Sequence, residues 1–444
     1  MANVFAFLLF LVVGGLLSLF LPKMKISEKE KRELTPVPQW NVVNVFSGYY
    51  TDSLDLHYAD NFPFRDGFVE LTSMVKESFG YRDNDVRIYT TVETPVDKPI
   101  VADTTISLKA DTVSLPKKVE KGKNQTEFVN SILIHDGMAF QLFRGSPDRA
   151  IAFADMINAY RQALNDSVKM YCLVAPSAID YYLPLSLKSS NNLEKPNIDI
   201  VYEHLDSGVT SVDAYNEVRS HSGEYIYFNT DHHWTVRGAY YAYRAFCDAA
   251  GWTPGELSMM KRRIRKNYLG SLYHITNDLR LKENKDSVES FLPPVQNTTW
   301  RYATSDLNNP VVAKLLAGSP NYATFLGGDF PLVRIETDVR NDRRILVIKD
   351  SFGNALCPFL TLHYEEVFVI DYRYFEQNLL SFIRNNRITE VMFLHNTFVT
   401  NTEFTVKKEK FLMRVKEKKQ HPVKQDSVAA EVIIQADVKR DSTR

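Results

Sequence analysis

Four consecutive residues, Asp231 to Trp234, place a carboxylate and two imidazoles in one short segment of the chain. Asp231 and His233 are separated by a single residue, so in an extended segment their side chains point to the same side. A carboxylate beside an imidazole fixes the tautomer of the ring and stabilises the imidazolium that forms when the ring takes a proton from a serine. The pattern predicts Asp231 as an orienting acid and His233 as a general base, with His232 on the opposite face and uninvolved.

A serine that this base could activate occurs in the segment KDSFGN, residues 349–354. A strand that turns sharply into a helix exposes a serine hydroxyl at the turn and directs backbone N–H groups at one point. Ser351 follows the apolar run RRILVI and precedes the helical pattern NALCPFLTL, and Gly353 allows close approach of the backbone. The alternative interpretation is that Asp350 or Ser351 only caps the helix.

Two other interpretations of the imidazoles stay open on the sequence alone. One is metal binding, for which the candidate ligands are Asp231, His232, His233, His363 and His395. The sequence contains no HExxH motif and no Cys and His at zinc-site spacing, so we expect no metal. The other interpretation is that the histidines are structural groups, each satisfied by hydrogen bonds.

The segments that would position these residues alternate between strand and helix patterns. The apolar runs that predict strands are VKMYCLVAPS, EYIYF, RRILVIKD, YEEVFVID and ITEVMFLHN. Helical patterns lie between them, and the most regular keeps a 3.6-residue period from Val236 to Ala250. This alternation predicts an α/β domain with a mainly parallel sheet covered on both faces. Ligands of such sheets bind outside the carboxyl ends of the strands, where both polar segments fall.

The N-terminal segment NVFAFLLFLVVGGLLSLFLP contains no charged residue and is long enough to cross the roughly 30 Å hydrocarbon core of a bilayer. No Lys or Arg precedes it, and bulky residues follow it. A cleaved signal peptide has a basic start and small residues at its cleavage site. We therefore expect an uncleaved transmembrane signal anchor over residues 1–22.

The rest of the chain divides by composition. We expect a juxtamembrane stalk over 23–90, a linker or insertion over 91–126, the α/β domain over 127–404 and a basic tail over 405–444. The formal net charge of -1, from 53 basic and 54 acidic residues, provides no overall attraction for polyanions. No nucleic-acid partner is expected.

At these residues the sequence resembles the bacterial DHHW family, which is named for the tetrad Asp231 to Trp234. The resemblance covers most of the chain and rests on the anchor, SEKEKREL, FPFRD, YLGSLYHITND and ILVIKDSFGNALCPFLTLHYEEVFVIDYRYF. That family is similar in turn to the SGNH-like polysaccharide O-acetyltransferases of the alginate-acetylation type. The resemblance implies a three-layer SGNH or flavodoxin-like fold, an extracytoplasmic domain, and a triad of Asp231, His233 and the nucleophile Ser351.

The sequence departs from the related esterases around the serine. Lys349 stands where those enzymes have the Gly of Gly-Asp-Ser, and the triad follows the chain order Asp, His, Ser, as in a circularly permuted arrangement. The backbone N–H groups of Ser351 and Gly353 are the first candidates for oxyanion donors. The side chains of Arg373 and Asn396 are further oxyanion or substrate-binding candidates, although Arg373 could instead form an ion pair with an acid.

The resemblance implies an acyl transfer in which Ser351 takes an acetyl group and a sugar hydroxyl of a polysaccharide attacks the acyl-enzyme. No cofactor is expected. Acetyl-coenzyme A is absent outside the cytoplasm, so the expected donor partner is a multispanning membrane O-acyltransferase. Two alternatives stay open: a carbohydrate acetyl-esterase of the same fold, and a non-catalytic scaffold that binds polysaccharide and partners such an acyltransferase.

Overall fold

The computed structural model describes residues 129–416 without a break. Ahead of that range it describes residues 5, 26–27, 32–33, 36–38, 40, 49–62, 67–68, 71, 75 and 86–92. The anchor predicted over 1–22 therefore lies outside the described residues except for Phe5, as do most of the predicted insertion and residues 417–444. Among the described residues, no helix combines the length and the apolar content that a membrane span requires.

Strands and helices alternate through the continuous range, as the sequence predicts. The strands are β1 Ile26–Ser27, β2 Arg32–Glu33, β3 Val86–Val92, β4 Val129–His135, β5 Met138–Gln141, β6 Lys169–Ala175, β7 Val209–Ser211, β8 Lys261–Tyr268, β9 Asp286–Leu292, β10 Asn297–Tyr302, β11 Val311–Ala313, β12 Leu332–Thr337, β13 Arg344–Lys349, β14 Glu366–Asp371 and β15 Glu390–Asn396. The helices are α1 Tyr49–Asp60, α2 Pro147–Leu164, α3 Ile179–Tyr182, α4 Glu194–Glu203, α5 Ala214–Ser220, α6 Val236–Ala250, α7 Ser271–Thr276, α8 Leu279–Glu283, α9 Gly353–Leu360, α10 Leu379–Asn385, α11 Thr397–Thr400 and α12 Glu403–Leu412.

The largest sheet has eight strands in the order β11-β10-β12-β14-β13-β15-β6-β7. Strands β14, β13, β15, β6 and β7 are parallel, and β12, β10 and β11 continue the sheet antiparallel at one edge. Counted from β13, with β6 and β7 last, the five parallel strands have the flavodoxin-like order 2-1-3-4-5. In the chain, the fourth and fifth strands of this order, β6 and β7, thus come before the first, β13. The predicted mainly parallel α/β fold is confirmed.

Side chains alternate between two cores along each central strand. Ile345 and Val347 of β13 lie in one core with α6 and α9, whereas Leu346 and Ile348 lie in the other with α2 and α10. All four side chains are fully buried, which explains why the strand reads as a continuous apolar run. Helices therefore cover both faces of the sheet and give the domain three layers.

The segment EYIYF, residues 224–228, is not a strand of the sheet, and the sequence prediction is wrong there. Among the described residues its pairing is an isolated bridge between Tyr227 and Trp234. Ile226 is fully buried in the core that contains α6, and the Tyr227 hydroxyl donates a hydrogen bond to the Pro176 carbonyl. Burial in a loop produces the same apolar run as burial in a strand, so the pattern could not distinguish the two.

Two segments outside the predicted limits 127–404 pack on the α/β domain. Strand β3 comes from the end of the predicted stalk and pairs antiparallel with β4, in a three-stranded sheet ordered β3-β4-β5. Helix α12 begins the predicted tail, and its Leu412 is fully buried in the core with α2. The Tyr160 hydroxyl of α2 also donates to the Glu409 carbonyl of α12 at 2.6 Å. The start of the tail is therefore attached to the domain.

Candidate active site

Asp231, His233 and Ser351 form one hydrogen-bonded chain. The Nδ1 atom of His233 lies 2.6 Å from Asp231 Oδ1, and its Nε2 atom lies 2.7 Å from Ser351 Oγ. Because an ionised carboxylate can only accept, Nδ1 carries the ring proton, which leaves Nε2 to accept the serine proton. Asp231 and His233 are buried, whereas Ser351 is partly exposed. In this arrangement a histidine can take the proton of a serine that a ligand can reach.

Asp231 is held by four hydrogen bonds. The backbone N–H and the ring of His233 donate to Oδ1, while the Tyr268 hydroxyl and the Ser271 N–H donate to Oδ2, at 2.7 and 2.9 Å. Tyr268 ends β8 and Ser271 begins α7, so the turn between them wraps around the carboxylate. Gly270 permits this, because a Cβ atom there would lie 2.2 Å from Asp231 Cβ. The carboxylate therefore has a fixed orientation toward His233.

The contacts of Asp231 keep its carboxylate ionised. Burial by itself raises the pKa of this carboxyl, but the adjacent His233 ring and the hydrogen bond that this ring donates act in the opposite direction. The Ser271 N–H adds a further hydrogen bond to the charged form, and the pKa lies well below its usual range. A carboxylate that stays charged can stabilise the imidazolium that forms during a proton transfer.

Aromatic residues fix the His233 ring and connect it to the serine turn. The Tyr322 ring stacks on His233, with centroids 3.9 Å apart and planes 8° apart. Trp234 is fully buried, and its Nε1–H donates at 3.0 Å to the carbonyl of Phe352, which follows Ser351. Trp234 thus joins the loop that carries the base to the turn that carries the hydroxyl.

His232 lies beside His233, and the prediction that placed it on the opposite face is wrong. The two ring centroids are 3.8 Å apart, and His232 Nδ1 lies 2.7 Å from Ser271 Oγ. That prediction assumed an extended segment, but the Asp231 carboxylate accepts the N–H of His233 two residues on, which bends the backbone. Burial and the neighbouring His233 lower the pKa of His232 to about 3, so this ring is neutral at neutral pH.

Asp350 holds the turn that carries Ser351. Its Oδ1 accepts the Phe352 N–H at 2.8 Å, and its Oδ2 accepts the Asn396 N–H at 2.7 Å. The Ser351 hydroxyl bonds to His233, and the N-cap residue of α9 is Phe352, so the serine does not cap the helix. Asp350 therefore ties the ends of β13 and β15 together, where the strand order of the parallel sheet reverses and ligands commonly bind.

Two of the predicted oxyanion donors are free. In the part of the chain that the structure describes, the Ser351 N–H has no acceptor. Asn396 uses its Oδ1 to cap the turn that follows, which leaves its Nδ2 amide without a partner among the described residues. The Gly353 N–H, in contrast, donates to the Asp350 carbonyl at 3.1 Å. Ser351 and Asn396 can therefore offer N–H groups to an oxyanion, and Gly353 cannot do so without breaking its turn.

Lys349 belongs to a group of four charged side chains, which we name the ion cluster: Lys349 and Asp371, which are buried, and Asp329 and Arg373, which are partly exposed. Lys349 Nζ lies 2.7 Å from Asp329 Oδ1 and 2.9 Å from Asp371 Oδ2. The Arg373 guanidinium donates to both carboxylates at 2.7 to 2.9 Å. Burial lowers the pKa of Lys349, but the two carboxylates outweigh it, and the pKa is raised. Arg373 thus forms the ion pair that the sequence left open as an alternative.

A cavity of about 180 Å³ adjoins Ser351 at the carboxyl ends of β6, β13 and β15. Its polar lining includes Ser351, His232, Asn396, Arg373 and Ser177, and apolar side chains complete the wall. The volume holds roughly six water molecules. That is enough for a short acyl group and part of an acceptor, but a polymer would have to remain largely outside.

The five residues considered as metal ligands do not meet at one site. Asp231, His232 and His233 present ligand-type atoms within 4.8 Å of one another, but His363 and His395 contact other side chains elsewhere. The Asp231 and His233 atoms also form the hydrogen-bonded chain to the serine. The geometry therefore suits a proton relay through His233.

Sequence patterns assigned no role to Tyr268, Gly270, Ser271 or Tyr322. Tyr268 and Ser271 lie 37 and 40 residues from Asp231 along the chain, and nothing in their spacing indicates a contact. The usable signal is the Gly-Ser pair directly ahead of the segment LYHIT. A helix start exposes N–H groups that a carboxylate can accept, so such a pair marks a candidate anion contact.

Comparisons with known proteins give the following matches. The model of the DHHW protein family matches residues 100–370. A DHHW family protein from Eubacterium siraeum DSM 15702 is 32% identical, with a TM-score of 0.58, over 64% of this chain and 95% of its own. Bacillus cereus PatB1 is 20% identical, with a TM-score of 0.51, over 62% of this chain and 98% of its own.

PatB1 is also known with a sulfonyl adduct, in a structure 19% identical that covers 64% of this chain and 98% of its own at a TM-score of 0.52. The O-acetyltransferase domain of Pseudomonas putida AlgJ matches at 14% identity and a TM-score of 0.35, over 63% of this chain and 97% of its own. No curated protein matches this chain. The family match spans more than half of the chain and includes the tetrad Asp231 to Trp234 and Ser351. The chain belongs to the DHHW family.

Proposed function

We propose that this protein is an O-acetyltransferase of the bacterial cell envelope that moves an acetyl group through Ser351 to a hydroxyl of a polysaccharide. The hydrogen-bonded chain from Asp231 through His233 to Ser351 carries the proposal. Its distances of 2.6 and 2.7 Å are those over which a proton can pass. The serine end of the chain adjoins a cavity, where a substrate can reach the hydroxyl.

In the first half of the reaction, His233 Nε2 takes the proton of Ser351 Oγ as that oxygen attacks the carbonyl carbon of an acetyl ester. The carbonyl oxygen becomes an oxyanion, to which the Ser351 N–H and Asn396 Nδ2 can donate. Asp231 stabilises the imidazolium. When the tetrahedral intermediate collapses, the leaving oxygen takes the proton back from His233, and Ser351 remains acetylated.

In the second half, the hydroxyl of the acceptor gives its proton to His233 Nε2 and attacks the acetyl carbonyl carbon. The same donors hold the second oxyanion. The bond to Ser351 Oγ then breaks, the serine recovers its proton from His233, and the acetylated acceptor leaves. Water can replace the acceptor in this step, so a carbohydrate acetyl-esterase would use the same residues.

The contacts of Lys349 remove one argument for a non-catalytic scaffold. Lys349, which differs from the glycine of related esterases, directs its amine to Asp329 and Asp371, so its charge does not occupy the cavity. A free N–H at Ser351 and a free amide at Asn396 supply the donors that the sequence left unassigned.

The location and the acetyl source are further parts of the proposal. Residues 1–22 would anchor the chain in the membrane, with the α/β domain on the extracytoplasmic side. A multispanning membrane O-acyltransferase would deliver the acetyl group, since acetyl-coenzyme A is confined to the cytoplasm. Loss of polysaccharide acetylation in cells that lack every such membrane protein would support this donor, and normal acetylation would exclude it.

The test of the reaction uses the full chain in detergent, p-nitrophenyl acetate as donor and an oligosaccharide as acceptor. We expect an acetyl group on Ser351 in intact-mass and peptide spectra, and faster p-nitrophenol release with acetylated sugar when the acceptor is present. Ser351→Ala should abolish both. Because PatB1 is known with a sulfonyl adduct, a sulfonyl fluoride serves as a second probe of Ser351.

Two outcomes would change the proposal. Acetylation of Ser351 followed only by hydrolysis, with no acetylated sugar, would assign an esterase. If Ser351 in folded protein were neither acetylated nor sulfonylated, it would not be a nucleophile, and the non-catalytic scaffold would be the remaining function.

A further inference from the structure

Ser177 lies on the wall of the same cavity as Ser351 and Asn396, and the proposed reaction does not use it. It follows the carboxyl end of β6, the strand that pairs with β15, where Ala175 is opposite Asn396. The cavity has room for roughly six waters. A small acceptor attacking an acetyl group on Ser351 would therefore lie within reach of Ser177.

Both polar groups of Ser177 are engaged by one carboxylate. The Ser177 hydroxyl donates to Glu194 Oε1 at 2.6 Å, and the Ser177 N–H donates to Glu194 Oε2 at 2.8 Å. Glu194 lies in the first turn of α4 and is fully buried. Two bonds to one rigid partner hold the serine hydroxyl in a single orientation.

The charge of Glu194 is not compensated by a cation from the part of the chain that the structure describes. Among the described residues, no basic side chain lies within ion-pair distance of Glu194 or of the buried Asp180, whose Oδ2 accepts the Glu194 N–H at 3.1 Å. The adjacent Lys195 pairs with Asp199 instead. Burial and then the charge of Asp180 raise the pKa of Glu194 to about 7. Burying a carboxylate without a cation costs stability. We therefore assign Glu194 a role in orienting the Ser177 hydroxyl.

The carboxylate determines how Ser177 can bind a ligand. A hydroxyl has one proton, and here an ionised Glu194 holds it, so toward the cavity Ser177 can only accept a hydrogen bond. The acceptor hydroxyl that attacks the acetyl group must give its own proton to His233. The donor to Ser177 is therefore a different hydroxyl of the same acceptor, and the hydroxyl on the neighbouring carbon is the nearest one that a sugar offers.

We propose that Ser177, oriented by Glu194, accepts a hydrogen bond from the hydroxyl adjacent to the attacking one, so that the site selects acceptors with two neighbouring hydroxyls over water and simple alcohols. Ser177 and Glu194 are positioning residues for the acceptor and take no part in the formation of acetyl-Ser351. The inference rests on the proposed function.

The experiment uses the full chain in detergent at pH 8, above the pKa of Glu194, with p-nitrophenyl acetate as donor. The acceptors are trans-1,2-cyclohexanediol and cyclohexanol, which differ only in the neighbouring hydroxyl. We measure the rate of acetyl-Ser351 formation and, separately, the rate of transfer to each acceptor per hydroxyl group. The wild type should transfer about tenfold faster to the diol, because the monoalcohol leaves the buried acceptor on Ser177 unpaired.

Two variants test the assignment. Ser177→Ala should reduce the ratio of diol to alcohol rates to about one while acetyl-Ser351 forms at the wild-type rate. Glu194→Gln should also lose the preference, because its amide N–H₂ donates to Ser177 Oγ and turns the serine proton toward the cavity. Ser220→Ala, at an exposed serine that bonds within its own helix, is the matched control and should keep the full preference.

The outcomes separate this inference from the proposed function. Equal transfer to both acceptors by the wild type, or a preference that survives Ser177→Ala, overturns the role of Ser177 while acetyl-Ser351 still supports the transferase. A Ser177→Ala variant that forms acetyl-Ser351 tenfold more slowly also overturns it, because the effect would then precede the acceptor. Absence of acetyl-Ser351 in the wild type overturns both.

Discussion

Two groups of hydrogen-bonded, charged side chains lie at the serine turn, and they differ in what their contacts surround. In the ion cluster, two cations meet two carboxylates, and Lys349 is only 1% exposed, so its amine is enclosed by the cluster, while Arg373 also lies on the cavity wall. In the chain of Asp231, His233 and Ser351, donors surround the carboxylate at one end, while the hydroxyl at the other end adjoins a cavity. Lys349 and Ser351 are two residues apart, yet the lysine amine is enclosed by carboxylates and the serine hydroxyl adjoins the cavity.

The difference separates stability from reactivity. Charges that neutralise one another inside a protein act on the folding equilibrium, because removing one partner leaves an uncompensated buried charge. A hydrogen-bonded chain that ends at a cavity acts on whatever binds there. Variants of the two groups should therefore differ when rate and unfolding are measured on the same preparation.

The largest effect is expected for His233→Ala. Ser351 loses the base that takes its proton, so transfer from p-nitrophenyl acetate should fall by at least about 10⁴-fold. The free energy of unfolding should change by no more than about 2 kcal/mol. Steady-state transfer rates and urea unfolding curves measure the two quantities.

His204→Ala is the matched control for this variant, because that imidazole is exposed and bonds to a carbonyl of its own helix. It should keep both the rate and the stability of the wild type. If His233→Ala transferred acetyl within tenfold of the wild-type rate, the hydrogen-bonded chain would not be the reactive group.

The next largest effect is expected for Lys349→Met. The substitution leaves Asp329 and Asp371 sharing one guanidinium in a buried site, so it should lower the free energy of unfolding by about 3–5 kcal/mol. The rate per folded molecule should fall much less than in His233→Ala. Urea unfolding monitored by tryptophan fluorescence gives the free energy, and the folded fraction corrects the rate.

Lys407→Ala removes a lysine from an ion pair with Glu403 in which both side chains are about 70% exposed, and it should cost less than about 1 kcal/mol. The assignment of the ion cluster to stability can also be contradicted. A Lys349→Met variant of normal stability and greatly reduced rate would place Lys349 in the reaction.

The sequence predicts the parts of this molecule that depend on burial along one element. The runs VKMYCLVAPS, RRILVIKD, YEEVFVID and ITEVMFLHN become parallel strands because helices cover both faces, which makes every position apolar. The residue types Asp, His and Ser also identify the hydrogen-bonded chain, since few other combinations relay a proton. EYIYF shows the limit of this reasoning, because a buried loop has the same composition as a strand.

The parts that the sequence could not predict depend on contacts between distant segments. Tyr268 and Ser271 reach Asp231 only because the turn after β8 folds over the loop. The choice of the Asn396 Nδ2 amide over the Gly353 N–H as a free donor depends on two bonds: the Asp350 carbonyl accepts the Gly353 N–H, and Asn396 Oδ1 caps the turn that follows. Such competition for hydrogen bonds has no signature in local composition.

Glu194 is buried like Lys349 and Asp371, but no basic side chain of the described residues lies within ion-pair distance of it. Its pKa is raised to about 7 from 4.5, so the folded state keeps a proton that the unfolded chain releases. Stability contributed by this proton is therefore present below about pH 4.5 and is lost as the pH rises to about 7. Relative to Glu194→Gln, the wild type should lose on the order of 3 kcal/mol between these limits.

Urea unfolding of both proteins at pH 5 and pH 8 measures this difference, and titrating groups that do not interact with Glu194 cancel. A difference between the two proteins that does not change with pH would show that Glu194 is compensated inside the fold. It would then belong with the ion cluster.

The smallest effect is expected for Gly270→Ala, which tests how the acid is held. The added Cβ would lie 2.2 Å from Asp231 Cβ and 2.7 Å from its Cα, so the loop has to move. A displacement of about 1 Å in a reacting geometry costs about 100-fold in rate, and the crowding costs about 1–3 kcal/mol of stability. Gly223→Ala, where no atom lies within 4 Å of the new Cβ, should change neither. If Gly270→Ala lost stability but kept its rate, the carboxylate could shift without consequence, and the orientation of His233 by Asp231 would not limit the reaction.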